Sequence, residues 1–71
     1  MASISVSLDR NADRHDVKLL KRELDTLPGV TSVSVSSGGQ LAVDYDATGV
    51  RQADILEKIQ ELGYHVRQEH A

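Results

Sequence analysis

Apolar and polar residues alternate along several segments of the chain, and this period of two predicts β-strands. The first predicted strand covers Ser3–Asp9, the second Thr31–Ser36 and the third Gln40–Asp46. A shorter segment, Tyr64–Arg67, predicts a last strand. Because successive side chains of a strand point to opposite faces, the pattern indicates a sheet with one buried face and one solvated face.

Two segments between the strands carry apolar residues three or four positions apart, which is the spacing of an amphipathic helix. The first predicted helix covers Arg14–Leu27 and ends before Pro28 and Gly29, which cannot continue it. The second covers Gln52–Leu62, and Gly63 can adopt the left-handed conformation that ends a helix. The apolar stripes consist of Val17, Leu20, Leu24 and Leu27 in the first helix and Ile55, Leu56, Ile59 and Leu62 in the second.

The order of these elements is βαββαβ, with a tight turn at Ser37–Gly39 joining two similar halves. Right-handed crossovers place both helices on the same side, so the sequence predicts an α+β fold, the ferredoxin-like sandwich. In this fold a four-stranded antiparallel sheet carries two helices on one face. We expect residues 1–71 to form a single domain, with residues 68–71 as a frayed tail. Because many functions share this fold, the fold alone does not indicate which one applies.

Composition and charge exclude several classes of function. The net charge of -3 argues against a protein that binds nucleic acid through a basic surface. The absence of cysteine excludes disulfides, thiolate metal sites and thiol nucleophiles. No apolar run is long enough to span a membrane and no signal peptide is visible, so we expect a soluble cytoplasmic domain. No apolar stripe is left over for an interface, which favours a monomer.

Catalysis has little support in the sequence. No Ser or Lys nucleophile lies next to a plausible base in a recognisable motif. Arg10 and Asn11 follow the first strand, but no glycine-rich phosphate loop accompanies them, and we expect Arg10 to be solvated. The sequence therefore predicts a protein that is not an enzyme and that needs no cofactor.

The chain contains three motifs of defined spacing. They are Leu-x-x-Leu-Pro-Gly-Val-x-x-Val-x-Val at Leu24–Val35, Val-x-Tyr-Asp at Val43–Asp46, and Ile-x-x-x-Ile-x-x-x-Gly-Tyr at Ile55–Tyr64. Together they resemble the heavy-metal-associated domain family over almost the whole chain. That family includes copper chaperones, mercury-binding proteins and the N-terminal modules of metal-transporting P-type ATPases. The resemblance implies a role in metal-ion transport or handling. As partner it implies another protein or another domain of a parent transporter.

The chain departs from this family at the metal-binding loop. The family binds soft metals through Met-x-Cys-x-x-Cys at the end of the first strand and the start of the first helix. Those positions fall on Asn11, Asp13 and Asp16. Soft sulfur ligands select Cu(I), whereas carboxylates are hard ligands that suit Mg, Ca, Mn or, less tightly, Zn. We therefore expect that this chain does not carry Cu(I) by the family mechanism.

The residues Asp13, His15 and Asp16 have two interpretations. They could form a replaced metal site that binds a divalent ion such as Zn, Mn or Ca weakly, with Tyr64 nearby as the resemblance implies. Alternatively, the two carboxylates cap the first helix by accepting bonds from its free N–H groups, an effect of about 1 kcal/mol. The ligand count favours capping, because Ca and Mg prefer six or more oxygens.

The exposed sides of the helices are a second candidate site. The resemblance implies that partner domains dock electrostatically around the metal loop and the helices. The candidate interaction surface consists of Arg14, Lys18, Lys21, Arg22 and Tyr64, and the second helix contributes the acidic residues Asp54, Glu57 and Glu61. The alternative is an ordinary solvated surface with local pairs such as Lys21–Asp25. The sequence thus predicts a non-catalytic binding or regulatory module related to metal handling, with a weak carboxylate-based carrier of divalent ions as the alternative.

Overall fold

The computed structural model describes residues 1–70 and confirms the predicted order of elements. The strands are β1 (Ala2–Leu8), β2 (Val30–Val35), β3 (Gln40–Tyr45) and β4 (Val66–His70), and the helices are α1 (Arg14–Asp25) and α2 (Gln52–Glu61). All neighbouring strands are antiparallel, in the sheet order β2-β3-β1-β4. This is the predicted ferredoxin-like sandwich. Within the described residues, neither helix has the length and apolar character needed to cross a membrane.

The core lies between the sheet and the two helices. In the register of β1 and β3, Ile4 lies opposite Val43 and Val6 opposite Leu41. The side chains that are at most 1% exposed are Ile4, Val6, Leu20, Leu24, Leu41, Val43, Ile55 and Ile59. These residues belong to the alternating strands and helical stripes of the sequence, so hydrophobic burial explains the arrangement of the layers.

The last strand lies further along the chain than the sequence pattern predicts. β4 pairs with β1, with Ser7 opposite Gln68 and Ser5 opposite His70. The expectation of a frayed tail is therefore wrong for residues 68–70, and Ala71 lies outside the described residues. The sequence of this segment is polar and has no apolar alternation. It forms an edge strand because its backbone pairs with that of β1. Tyr64 precedes the strand instead of opening it.

Three connections meet at one end of the sandwich and position the loop between β1 and α1. The N–H of Asp9 donates to the carbonyl of His65 (3.0 Å), and the N–H of Ala12 donates to the carbonyl of Ser37 (3.2 Å). Gly39, with φ of +84°, packs against the backbone of Arg10 at a distance that leaves no room for a Cβ. The hairpin and the segment before β4 therefore hold the loop from both sides.

Candidate functional site

The first turn of α1 is closed by two carboxylates that bond reciprocally to the backbone. Asp13 is the N-cap, with extended backbone angles (φ -85°, ψ -177°), and its Oδ1 accepts the N–H of Asp16 at 2.8 Å. In return, Oδ2 of Asp16 accepts the N–H of Asp13 at 3.2 Å. This arrangement is a capping box. The capping interpretation of these two residues is thus confirmed.

Asp16 is also the centre of a contact between distant parts of the chain. Its Oδ1 accepts a hydrogen bond of 2.5 Å from the hydroxyl of Tyr64 and lies 3.9 Å from Nη2 of Arg10. Among the residues whose side chains the structure describes, Asp16 is the only charged one that is buried, with 9% of its surface exposed. A buried carboxylate is costly unless it is paired and hydrogen-bonded, and here both oxygens have partners.

Arg10 completes the group by covering the ring of Tyr64. Its guanidinium carbon lies 4.6 Å from the ring centroid, a cation–π geometry, and the Tyr64 side chain beneath it is buried. The Arg10 side chain is half-exposed. A cation therefore lies beside the carboxylate at the family's second cysteine position.

The ionisation of Asp16 and Tyr64 follows from these contacts. The hydrogen bond from Tyr64 is the largest cause that lowers the pKa of Asp16 below 3.8, followed by the backbone N–H of Asp13, while partial burial opposes them. Burial is the main cause that raises the pKa of Tyr64 to about 12, and the bond to the Asp16 carboxylate adds to it. At neutral pH, Asp16 is therefore an ionised acceptor and Tyr64 a neutral donor.

The structure brings the predicted metal ligands Asp13, His15 and Asp16 close together. One potential ligand atom of each lies within 4.8 Å of the others, and Asp13 and His15 are exposed. However, the carboxylates already accept the bonds of the capping box, and Asp16 also accepts that of Tyr64. An ion at this cluster would have to compete with those bonds and would have few protein ligands. The donor set contains no sulfur and does not suit Cu(I).

The residues of the predicted interaction surface differ in exposure. Arg14, Lys18, Lys21 and Arg22 are exposed along α1, whereas Tyr64 is buried beneath Arg10. The expected pair Lys21–Asp25 is not among the ion pairs that the described side chains form. Instead, Glu23 lies 3.4 Å from Arg22 and 3.7 Å from Lys58 of α2.

Arg10 is the site residue that sequence reasoning missed. The lack of a glycine-rich phosphate loop predicts a solvated Arg10, and its side chain is half-exposed. Its contacts are with Asp16 and Tyr64, and the latter lies far away in the sequence. The one available signal was chemical: an acid at a family ligand position needs a compensating cation, and Arg10 is the basic residue of this loop before α1.

Comparison with known proteins identifies the class to which this fold and loop belong. Residues 12–65 match the family model described as the heavy-metal-associated domain, and the chain belongs to this family. The resemblance inferred from the sequence motifs is therefore confirmed. The chain is a heavy-metal-associated domain related to metal chaperones and transporters, and it lacks both cysteines of the family motif.

Solved structures support the same class. A structure of the CopZ metallochaperone is 26% identical, with a TM-score of 0.84, over 92% of this chain and 98% of that one. A copper binding domain from HMA7, a P-type ATPase, is 23% identical, with a TM-score of 0.85, over 100% of both chains. The N-terminal soluble domains of Bacillus subtilis CopA are 30% identical, with a TM-score of 0.82, over 92% of this chain and 45% of that one. No curated protein matches the chain.

Proposed function

We propose that this domain is a non-catalytic binding module of metal-ion transport or handling that works without a soft metal in its β1–α1 loop. The family relationship supports the link to metal handling. The absence of cysteine supports the loss of Cu(I) binding, because oxygen ligands do not select this ion.

The observation that carries the proposal is the internal neutralisation of Asp16. This carboxylate accepts bonds from the Tyr64 hydroxyl and the Asp13 N–H, and the Arg10 guanidinium lies beside it. In an empty metal site, the ligand atoms would have no hydrogen-bond donor or positive charge beside them within the protein. Here the chain supplies both the hydrogen-bond donors and the positive charge, so the loop is complete without metal.

A protein or domain partner suits the remaining exposed chemistry. Arg14, Lys18 and Lys21 are exposed along α1, and among the described side chains they form no ion pair. A partner with an acidic surface would complement them. The similarity to the N-terminal domains of CopA and to the HMA7 domain of a P-type ATPase supports another domain of a transporter as that partner.

Weak binding of a divalent ion is the second candidate function. The proximity of Asp13, His15 and Asp16, with ligand atoms within 4.8 Å, supports it. Binding there requires an ion that displaces the capping and phenol bonds, and such an ion would bind through few protein ligands. The two candidates differ in whether a saturable site exists at the start of α1.

Amide chemical-shift titrations with Zn²⁺, Mn²⁺, Ca²⁺ and Cu(I) separate these candidates. We expect the wild-type domain to take up no stoichiometric Cu(I) and to give no saturable shifts localised at Asp13–Val17 and Tyr64. Localised, saturable shifts that disappear in Asp13→Ala or Asp16→Ala would establish the divalent carrier and contradict the metal-free module.

The variant Arg10→Gln tests the role of the internal cation. Removing the guanidinium leaves the negative charge of Asp16 without its neighbouring cation, so we expect this variant to bind Mn²⁺ at a saturable site that the wild type lacks. Arg67→Gln removes the same charge from an exposed position on β4 and is the matched control. Equal Mn²⁺ affinities for the two variants would contradict the role assigned to Arg10.

A further inference from the structure

The two helices carry rows of opposite charge whose spacings match. The basic row on α1 consists of Arg14, Lys18 and Lys21, at steps of four and three residues. The acidic row on α2, read from its carboxyl end, consists of Glu61, Glu57 and Asp54, again at steps of four and three. Residues three and four apart lie on the same side of a helix. Two such helices placed antiparallel would therefore bring every base opposite an acid.

The two rows do not neutralise each other within one copy. Among the described side chains, the ion pair between the helices joins Lys58 to Glu23 (3.7 Å), and neither residue belongs to a row. Within the acidic row, Asp54 is half-buried, and its Oδ2 accepts the N–H of Arg51 at 3.1 Å and lies 3.7 Å from the guanidinium of the same residue. Arg14, Lys18, Lys21, Glu57 and Glu61 are exposed and form no ion pair within the described part of the chain.

The acidic row borders a groove that can receive a helix flank. The groove, of about 390 Å³, is lined by the apolar residues Leu27, Pro28 and Val50 and, beside the acidic row, by Lys58. On α1, the half-buried Leu19 lies beside Lys18 and Lys21 at the edge of a second depression. Each row thus has charged residues next to an apolar residue, and protein–protein interfaces likewise combine an apolar centre with a polar rim.

We propose that the acidic row of one copy of this domain binds the basic row of a second copy, with α1 antiparallel to α2. The pairs are Arg14–Glu61, Lys18–Glu57 and Lys21–Asp54, formed between copies. This inference rests on the proposed function and names its partner as a second domain of the same kind. Each copy carries both rows, so the contact joins unlike surfaces of two copies of the domain.

The contact is weak and sensitive to salt. Exposed ion pairs are individually small and are screened at physiological ionic strength. We therefore expect self-association at high protein concentration in low salt, and its loss as salt is added. Such a contact serves domains that are tethered in one chain, where the effective concentration is high.

Sedimentation velocity over a range of protein concentrations in low salt tests this contact, with four proteins compared. We expect the wild type to associate, and Lys18→Glu or Glu57→Lys alone to weaken association about 10-fold, since each reversal replaces attraction with repulsion. The double variant Lys18→Glu/Glu57→Lys restores opposite charges and should associate like the wild type. An equimolar mixture of the two single variants should also associate, because the reversed charges pair.

Three results would overturn the proposal: a monomeric wild type in low salt, association unaffected by either single reversal, or a double variant no better than the singles. An amide spectrum of each variant establishes that it is folded. A monomeric wild type would leave the metal-free module standing, because the metal titrations test that proposal separately. In that case the partner of the basic row is a different protein.

Discussion

The hydroxyl of Tyr64 donates a hydrogen bond of 2.5 Å to Oδ1 of Asp16, which joins the segment before β4 to the first turn of α1. The two residues are 48 positions apart in the sequence. One of them occupies the position of the family's second cysteine, and the other follows the glycine that ends α2. The bond therefore converts a metal-loop position into part of the structural framework.

Replacing Tyr64 with Phe removes this bond and leaves the ring in place. We expect Tyr64→Phe to lower the free energy of unfolding by about 1–2 kcal/mol, because a partly buried charged acceptor loses a donor. Urea denaturation at neutral pH measures the loss. Tyr45→Phe is the matched control: Tyr45 is also buried, and its hydroxyl donates no hydrogen bond to the described residues. Equal losses in the two variants would contradict the importance of the bond to Asp16.

The Tyr64 phenol should titrate at unusually high pH. Burial, the Asp16 hydrogen bond and the Asp16 charge raise the pKa of Tyr64 to about 12 from 10.0. A raised pKa means that the neutral phenol is favoured in the folded state. Its contribution to stability is therefore complete below pH 10.0 and is lost as the pH rises toward 12. Phenolate absorbance followed against pH should show this late transition. In Asp16→Asn it should move to lower pH, and in Tyr64→Phe it should be absent.

Asp16 should make the domain sensitive to acid. Its pKa is lowered in the folded state, chiefly by the Tyr64 hydrogen bond, so its contribution is present above the unfolded value of 3.8. That contribution is lost as the pH falls through the lower folded value. We expect the wild type to lose more stability on acidification below pH 3.8 than Asp16→Asn does. Urea denaturation at a series of acidic pH values measures both proteins.

Asp46 provides the comparison for this acid effect. Its pKa is also lowered, mainly by the hydroxyl and the backbone N–H of Thr48, at an exposed loop far from the metal-binding position. Asp46→Asn should leave the acid dependence due to Asp16 in place. If Asp16→Asn and the wild type lost stability in parallel, the bonds to Asp16 would not be the cause.

The layers of the fold could be predicted from the sequence because their causes are local or periodic. Ile4 and Val43 are apolar positions of the alternating strands, Leu20 and Leu24 belong to the helical stripe, and all four are buried. The capping role of Asp13 was also accessible, since an N-cap bonds within its own turn. The end of β4 could not be predicted from the sequence, because this polar segment has no apolar period and is stabilised by pairing with β1.

The site was predictable only in part, for the same reason. Asp13, His15 and Asp16 are neighbours in one helical turn, so their proximity follows from their spacing. The contact of Arg10 with Tyr64 depends on how the loop after β1 meets the segment after α2. No local sequence pattern predicts the contact between these two segments.

Gly39 should be essential to the position of the β1–α1 loop. Its φ is +84°, and a Cβ there would collide with the carbonyl of Arg10. Gly63 has a similar φ of +94° but has nothing within 4 Å of the added Cβ. Gly63→Ala should therefore cost about 1–2 kcal/mol from backbone strain alone. Gly39→Ala should cost a further 1–3 kcal/mol, roughly, from the collision. Thermal or urea unfolding compares them, and equal costs would contradict the role of the Arg10 contact.

Restoring the family's ligands should restore soft-metal binding, because the fold that carries the loop already matches that of the CopZ metallochaperone, with a TM-score of 0.84 over 92% of this chain. We expect the variant Asn11→Met/Asp13→Cys/Asp16→Cys to take up one equivalent of Cu(I) in competition with a Cu(I) chelator, whereas the wild type takes up none. Asn11→Met alone adds no thiolate and is the control. The metal-free triple variant should unfold more easily than the wild type, because it loses the Asp13 cap and the Tyr64 bond, and Cu(I) should reverse that loss. Uptake by the wild type equal to that of the triple variant would show that oxygen in place of sulfur does not exclude the ion.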